Sequence, residues 1–213
     1  MIQKHLIKYY KNYIFMLFVA VSFMLRLTFS KTGLEIYYII AILIGILGFT
    51  KYSFNKELGL SFDLFRNSTF YFYQIPVIIL SNLLLFLIFK DTIITEAQNG
   101  KSDPLPILLL SFFFFNSIRT FGEEFIFRAF LLIKVIHHNN FIFWGLNIVQ
   151  AFLFSLIHYY FVNELSGKIV FGIYVFVLSA YFGLLNRKFN SVIPSWTIHW
   201  MNGLQTLLIV IIY

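Results

Sequence analysis

Residues 70–89 read FYFYQIPVIILSNLLLFLIF, a run of twenty residues without one charged side chain. A helix needs about 20 mostly apolar residues to cross the hydrocarbon core of a bilayer. Comparable runs recur along the chain and predict about seven spans, within a range of six to eight: 12–29, 34–50, 70–89, 105–134, 141–162, 168–185 and 192–212. The predicted fold is an all-α, polytopic membrane helix bundle, because a lipid-facing backbone must satisfy its hydrogen bonds internally.

The composition agrees with a lipid environment. Of the 213 residues, 60% are hydrophobic, 21% aromatic and 12% charged, with a mean hydropathy of +0.82. Soluble domains carry about 25% charged residues, so a soluble enzyme is excluded. The formal charge of +7 forms no basic stripe interleaved with aromatics and suits loops beside anionic lipid headgroups. We therefore expect membrane lipid, and no nucleic acid, as a partner.

The chain predicts one integral membrane domain over 1–213, since no repeat, soluble domain or long linker divides it. The basic N-terminal lead-in has no small-x-small cleavage site, which favours a retained helix. Nine Lys and Arg residues fall in loops on the side of the membrane where the N-terminus lies, and five fall on the opposite side. This excess predicts a cytoplasmic N-terminus. The heavy use of Phe, Ile, Asn and Lys suggests an AT-rich bacterial genome, and thus a multi-pass protein of a bacterial cell membrane.

Charged residues stand out inside the long run 105–134, which predicts either one tilted helix or two pieces hinged near Gly122. A charge inside a bilayer costs at least ~2.5–3.5 kcal/mol, so each marks a candidate functional site. Glu124 and Arg128 are four residues apart and share a helix face, where they can pair. Glu123 is rotated by about 100° from Glu124 and can point elsewhere. A purely structural ion-pair network is the alternative reading.

Two histidines lie in other predicted spans, His158 and His199, and Asn202 shares a helix face with His199. A lone histidine in a membrane helix is more often an interhelical hydrogen-bond partner than a catalyst. An antiparallel pairing places Glu124 and His158 at nearly the same depth, so we expect the carboxylates and both histidines to meet in one polar cavity. Such a group has the inventory of a catalytic site.

Several protease designs are excluded by the residues themselves. No histidine is followed by glutamate, so the His-Glu-x-x-His zinc motif is absent. The aspartates all lie in predicted loops, there is no Gly-x-Ser-Gly element, and there is no cysteine for a thiolate nucleophile or metal site. What remains is a glutamate that activates water, with histidines as base partners or metal ligands and asparagine plus histidine as oxyanion donors.

At these residues the sequence resembles the CAAX-protease and bacteriocin-processing (CPBP, or Abi) intramembrane proteases, which include the type II CAAX prenyl endopeptidases. Glu123-Glu124-x-x-x-Arg128 matches the first motif, Phe154-x-x-x-His158 the second, and His199 the histidine of the third, in the family's order. The protease-like core covers about 105–213. The third motif expects Asn or Asp four residues after its histidine, where this chain has Gly203 and carries Asn202 one position early. Ala129 stands where the family commonly has glycine.

The resemblance implies an endopeptidase that cuts a peptide or membrane protein at the membrane, in peptide processing or bacteriocin self-immunity. It implies that Glu123 is the water-activating base and His158 its partner, and that Glu124 and Arg128 hold Glu123 in place. His199 is implied as an oxyanion donor or as a metal ligand. A divalent metal such as zinc, held by Glu123, His158 and His199, stays open beside a metal-free mechanism. A non-catalytic immunity protein on the same scaffold is the alternative function, and a small transporter subunit is a third.

Overall fold

The computed structural model describes residues 36, 38–44, 46, 62–100, 104–128, 140–158, 165–204 and 207–208. Apart from short turns, this part of the chain is helical and contains no strand, so the all-α prediction is confirmed. The predicted span 12–29 lies outside the described residues, as does about half of 34–50, in which residues 38–44 are helical.

Five helices carry the architecture of the described chain: α1 (Ser68–Gly100), α2 (Leu105–Arg128), α3 (Asn140–His158), α4 (Leu165–Phe189) and α5 (Ile193–Asn202). Four stretches are long and apolar enough to cross a membrane: Ser68–Lys90, Leu105–Arg128, Asn140–His158 and Ser166–Phe189. These four confirm predicted spans. The start of the predicted span 192–212 is the ten-residue α5, and the chain is helical again at 204, 207 and 208.

Local chemistry sets several helix ends. The side chain of Asn67 accepts a hydrogen bond from the backbone N–H of Thr69 at 2.9 Å and so caps the first turn of α1. Helix α2 starts directly after Pro104, whose C=O accepts the first backbone bonds, because proline cannot donate within a helix but suits its first turn. Between α4 and α5, Asn190 adopts a φ of 49°, a left-handed conformation that asparagine tolerates. This turn brings α5 back along the bundle.

Helix α2 is continuous through Gly122, so the hinge expected there as one alternative is not observed. The residues Ser117–Glu124 form regular α-helix. Wider π-helical turns lie on either side instead, at Ser111–Asn116 and at 125–128. A π turn changes the phase of the side chains that follow it, and such turns are frequent at functional sites. The irregularities of α2 therefore flank the two glutamates.

Packing leaves a polar centre inside an apolar shell. Helix α3 packs along α4, and α5 packs against α1, α2 and α4. Buried aromatic and aliphatic side chains from α2, α3 and α4 surround the centre, among them Phe127, Phe154 and Val175. In the most apolar 18 residues of each span, between 17% and 39% of the residues are buried, so most of them keep some exposed surface, as suits a lipid environment.

Candidate active site

Five of the residues singled out from the sequence meet where α2, α3 and α5 come together. Glu123, Glu124 and Arg128 lie near the end of α2, His158 is the last residue of α3, and His199 lies on α5. The side chains of Glu123, Glu124 and Arg128 are almost completely buried, with at most 1% of each residue exposed. Such burial requires compensation by partners, since an isolated charge is strongly disfavoured away from water.

Glu124 makes most of the contacts that compensate these buried charges. Its Oε1 accepts a hydrogen bond from Nη1 of Arg128 at 2.8 Å, the pair predicted from their spacing on one helix. The same oxygen lies 2.9 Å from Nδ1 of His199. The guanidinium also donates to the hydroxyl of Ser179 on α4 and lies over the ring of Phe154, 4.1 Å from its centre. One carboxylate thus ties α2 to α5, and its arginine ties α2 to α3 and α4.

The imidazole of His199 lies between the two glutamates. Because a carboxylate only accepts hydrogen bonds, Nδ1 of His199 carries the proton that is shared with Glu124. In neutral His199 the lone pair is then on Nε2, which lies 3.5 Å from Oε2 of Glu123. That carboxylate oxygen is buried and has no hydrogen-bond partner among the described residues. Two facing lone pairs repel each other, so the gap calls for a proton on Nε2 or for a cation.

His158 completes the group from α3. Its Nδ1 lies 2.8 Å from the carbonyl oxygen of Phe154, which can only accept, so Nδ1 is the donor and the lone pair of the neutral ring is on Nε2. Glu123, His158 and His199 each offer one ligand atom, and these atoms lie within 4.8 Å of one another. Two imidazole nitrogens and a carboxylate oxygen are a donor set of the kind that catalytic zinc sites use. The unpartnered oxygen of Glu123 fits such an ion.

A cavity of about 190 Å³ opens beside the group. His158 and His199 form part of its wall, whereas Glu123 is buried beside His199 and is not part of the lining. A single water needs roughly 10–15 Å³ of such space, so the cavity has room for several waters or a short stretch of peptide. The remaining wall is mostly apolar, with Phe154, Tyr174 and Phe182 among its members. A substrate in this cavity would meet the two imidazoles first.

Asn202 also lines the cavity, but its carbonyl oxygen turns toward α1. It accepts hydrogen bonds from the hydroxyl of Ser81 at 2.7 Å and from the amide of Asn82 at 3.3 Å. Asn202 therefore links α5 to α1 at the edge of the site. Gly203, where the resemblance expects Asn or Asp, faces Asn116 of α2 instead.

Sequence reasoning gave no role to three polar residues that surround the site: Asn116, Arg119 and Ser179. Asn116 and Arg119 line the cavity, and Ser179 contacts both the cavity and Arg128. Asn116 and Arg119 precede Glu123 by seven and four residues, so the i, i+3, i+7 pattern was the available signal that they share its helix face. Ser179 is bonded to buried Gln150 of α3, which extends the polar contacts of Arg128 into the α3–α4 interface.

The fold and the site together define an all-helical membrane protein with a buried glutamate–histidine centre beside a cavity. Residues 103–204 match the family described as type II CAAX prenyl endopeptidase Rce1-like. The match supports the assignment of this part of the chain to that CAAX-protease-like family of membrane endopeptidases, and it spans all three motifs quoted above. Comparison with curated proteins and with solved structures gave no match.

Proposed function

We propose that this protein is a membrane endopeptidase in which Glu123 activates a water molecule for attack on a peptide bond. The observation that carries the proposal is the convergence of Glu123, His158 and His199, with ligand atoms within 4.8 Å of one another beside a cavity. A structural ion-pair network would need only Glu124 and Arg128, which already pair with each other. The second carboxylate and the second histidine are surplus to that purpose.

The proposed reaction is hydrolysis by general-base catalysis. A water held among the three side chains donates hydrogen bonds to Oε2 of Glu123 and to Nε2 of His158. Its oxygen attacks the carbonyl carbon of the peptide while Glu123 takes one of its protons. The C–N bond then breaks as Glu123 delivers that proton to the leaving nitrogen, giving a carboxylic acid and an amine. Glu124 holds His199 through Nδ1, so the imidazole beside Glu123 needs little reorganisation.

A divalent metal fits the same residues. Glu123, His158 and His199 would hold it, with Glu124 orienting His199 through Nδ1 as a carboxylate behind a metal-ligating histidine commonly does. Bound there, zinc would lower the pKa of its water and polarise the substrate carbonyl. The contacts of Glu124, Arg128 and Ser179 serve the protein in either case, because they fix His199 from behind.

The physiological setting that we propose is peptide processing in a bacterial cell membrane, including bacteriocin self-immunity. The support for this setting is the family resemblance together with the four apolar spans. The substrate would be a peptide or a membrane-protein segment that reaches the cavity between the helices.

Glu123→Gln tests the proposal. The amide keeps the shape of the side chain but cannot take a proton, so the rate of peptide cleavage should fall by about 10²–10⁴-fold. The measurement is cleavage of a quenched-fluorescence peptide library by purified protein in liposomes, with and without a chelator and added zinc. Asp63→Asn, the same chemical change on an exposed carboxylate, is the matched control and should cleave normally.

Cleavage that survives Glu123→Gln, His158→Ala and His199→Ala with unchanged expression would contradict the protease proposal. If the wild-type protein confers resistance to a bacteriocin and these three variants do so equally, a non-catalytic immunity protein takes its place. Chelator sensitivity, reversed by zinc, would select the metal-dependent form of the mechanism.

A further inference from the structure

The amide of Asn116 occupies the space in front of Gly203. A Cβ added to Gly203 would lie 2.6 Å from Nδ2 of Asn116, closer than real Cβ contacts allow. The absence of a side chain at 203 therefore makes room for an amide that comes from a different helix. Asn116 is the last residue of the π-helical stretch Ser111–Asn116, and it is half-buried in the wall of the cavity that His158 and His199 share.

The orientation of this amide is set by Arg119. Nη2 of Arg119 donates to Oδ1 of Asn116 at 2.8 Å, and a guanidinium has only donors, so the oxygen end of the amide faces the arginine. Nδ2 is then the end that faces Gly203. Arg119 is itself held by Tyr38, with its guanidinium 4.7 Å from the ring centre. Within the described part of the chain, no acceptor is bonded to Nδ2 of Asn116.

The position of Asn116 suits a group that contacts the substrate oxygen. Gly203 follows His199 by one helical turn, about 6 Å along α5. A line of contacts from a general base through water and a peptide carbonyl to a hydrogen-bond donor spans roughly 8–10 Å. His199 is a poor candidate for that donor, since its two nitrogens face Glu124 and Glu123. Asn202 is tied to Ser81 of α1 through its carbonyl oxygen, and its amide nitrogen is the competing donor that Asn202→Asp tests below.

We propose that Nδ2 of Asn116, oriented by Arg119, donates a hydrogen bond to the carbonyl oxygen of the scissile peptide bond. This inference rests on the proposed function. As the water oxygen bonds to the carbonyl carbon, the π electrons of the C=O bond move to its oxygen, and the amide stabilises that charge without giving up its proton. The positive charge of Arg119 behind the amide favours the same state. In the family, the residue at this place lies on the helix that carries the third-motif histidine. In this protein, Asn116 takes that place from α2.

The test exchanges the two positions. Asn116→Ala and Asn116→Asp should each lower kcat for peptide cleavage by about 10²–10³-fold with little change in KM, as expected for loss of one oxyanion donor. Gly203→Asn alone should also impair cleavage, because the new side chain collides with Asn116. The double variant Asn116→Ala/Gly203→Asn removes the collision and returns an amide to the cavity, so it should recover most of the lost kcat.

Asn140→Ala is the matched control. Asn140 also accepts a hydrogen bond from an arginine, Arg187, at 2.5 Å, but it is exposed and does not line the cavity. It should leave kcat unchanged. Thermal unfolding of each variant in detergent separates a folding defect from a catalytic one, and the rescue by the double variant would not occur if Asn116 were only structural.

Normal kcat in Asn116→Ala, while Glu123→Gln is inactive, would overturn this proposal and leave the proposed function standing. Loss of kcat in Asn202→Asp, together with normal kcat in Asn116→Ala, would also overturn the proposed role of Asn116. Failure of the proposed function gives a different pattern, since wild-type protein would then cleave nothing, and the role of Asn116 would fall with it.

Discussion

Replacing Arg128 by methionine tests whether the charges on α2 are held as the structure shows. Arg128 is completely buried, and its contacts include Oε1 of Glu124 at 2.8 Å, the hydroxyl of Ser179 and the ring of Phe154. Methionine fills a similar volume without the charge. The change leaves Glu124 as a buried carboxylate that has lost its arginine.

The expected loss of stability follows from these contacts. Removing one partner of a buried ion pair costs about 3–5 kcal/mol. The lower end applies here, because His199 stays 2.9 Å from Glu124 and supplies a second compensating donor. The hydroxyl of Ser179 keeps Gln150 as a partner, so its lost bond adds only about 1 kcal/mol. We expect a loss of about 3–4 kcal/mol, or a melting temperature lower by about 6–16 °C for a chain of this size.

The assay is thermal unfolding in detergent micelles, followed by tryptophan fluorescence. Arg187→Ala is the control, because Arg187 also donates a hydrogen bond to a side chain and lies over an aromatic ring, that of Phe143. Unlike Arg128, it has no carboxylate partner among the described contacts and is only half-buried. Its loss should be about 1 kcal/mol or less. The double variant Arg128→Met/Glu124→Gln removes both charges and should recover at least about 2 kcal/mol relative to Arg128→Met.

Two results would refute this reasoning. One is an Arg128→Met protein that unfolds within a degree or two of the Arg187→Ala protein, which would mean that the pair with Glu124 contributes little. The other is a double variant no more stable than Arg128→Met. The stranded carboxylate would then not be the source of the loss.

Two further predictions concern packing and metal binding. Gly183→Ala should lower the free energy of unfolding by at least about 1–3 kcal/mol in the same assay, because the new Cβ would lie 1.8 Å from Oδ1 of buried Asn147, which is bonded to Gln150. Gly172→Ala is the control, since no atom lies within 4 Å of its new Cβ, and it should change the free energy of unfolding by less than about 0.5 kcal/mol. Zinc at 100 times its dissociation constant should stabilise wild-type protein by about 2.7 kcal/mol and His158→Ala far less; equal melting curves with zinc and with chelator would count against a metal at this site.

Much of the fold was predictable because lipid imposes a simple rule on composition. A span must be mostly apolar over about 20 residues, so four membrane helices were visible as long, mainly apolar runs. The pairing of Glu124 with Arg128 was equally predictable, since it depends only on helical periodicity. The approach of His158 to the glutamates was expected from their similar depth.

The features that could not be predicted depend on the rotation of side chains around each helix axis and on contacts between helices that are distant in sequence. The π-helical turns of α2 shift the directions of the side chains after Phe112, and no residue pattern in the run SFFFFN specifies them. The position of Asn116 in front of Gly203 follows from that shift and from the approach of α5. The same holds for His199 between two carboxylates, because a single-helix argument gives depth but not the direction of an imidazole.

Helix α2 has a consequence for how the protein enters its membrane. Its four charged residues form two pairs of opposite sign with a spacing of four, Arg119 with Glu123 and Glu124 with Arg128, so the helix has no net charge. Each pair can form within the isolated helix during insertion, before α3, α4 or α5 is present, which lessens the cost of carrying four charges into lipid. On assembly, Arg119 contacts Asn116 and Glu123 lies beside His199. The same charged residues thus lower the cost of membrane insertion first and form the site afterwards. Replacing Arg119 alone would leave Glu123 as an unpaired carboxylate while the helix enters the membrane.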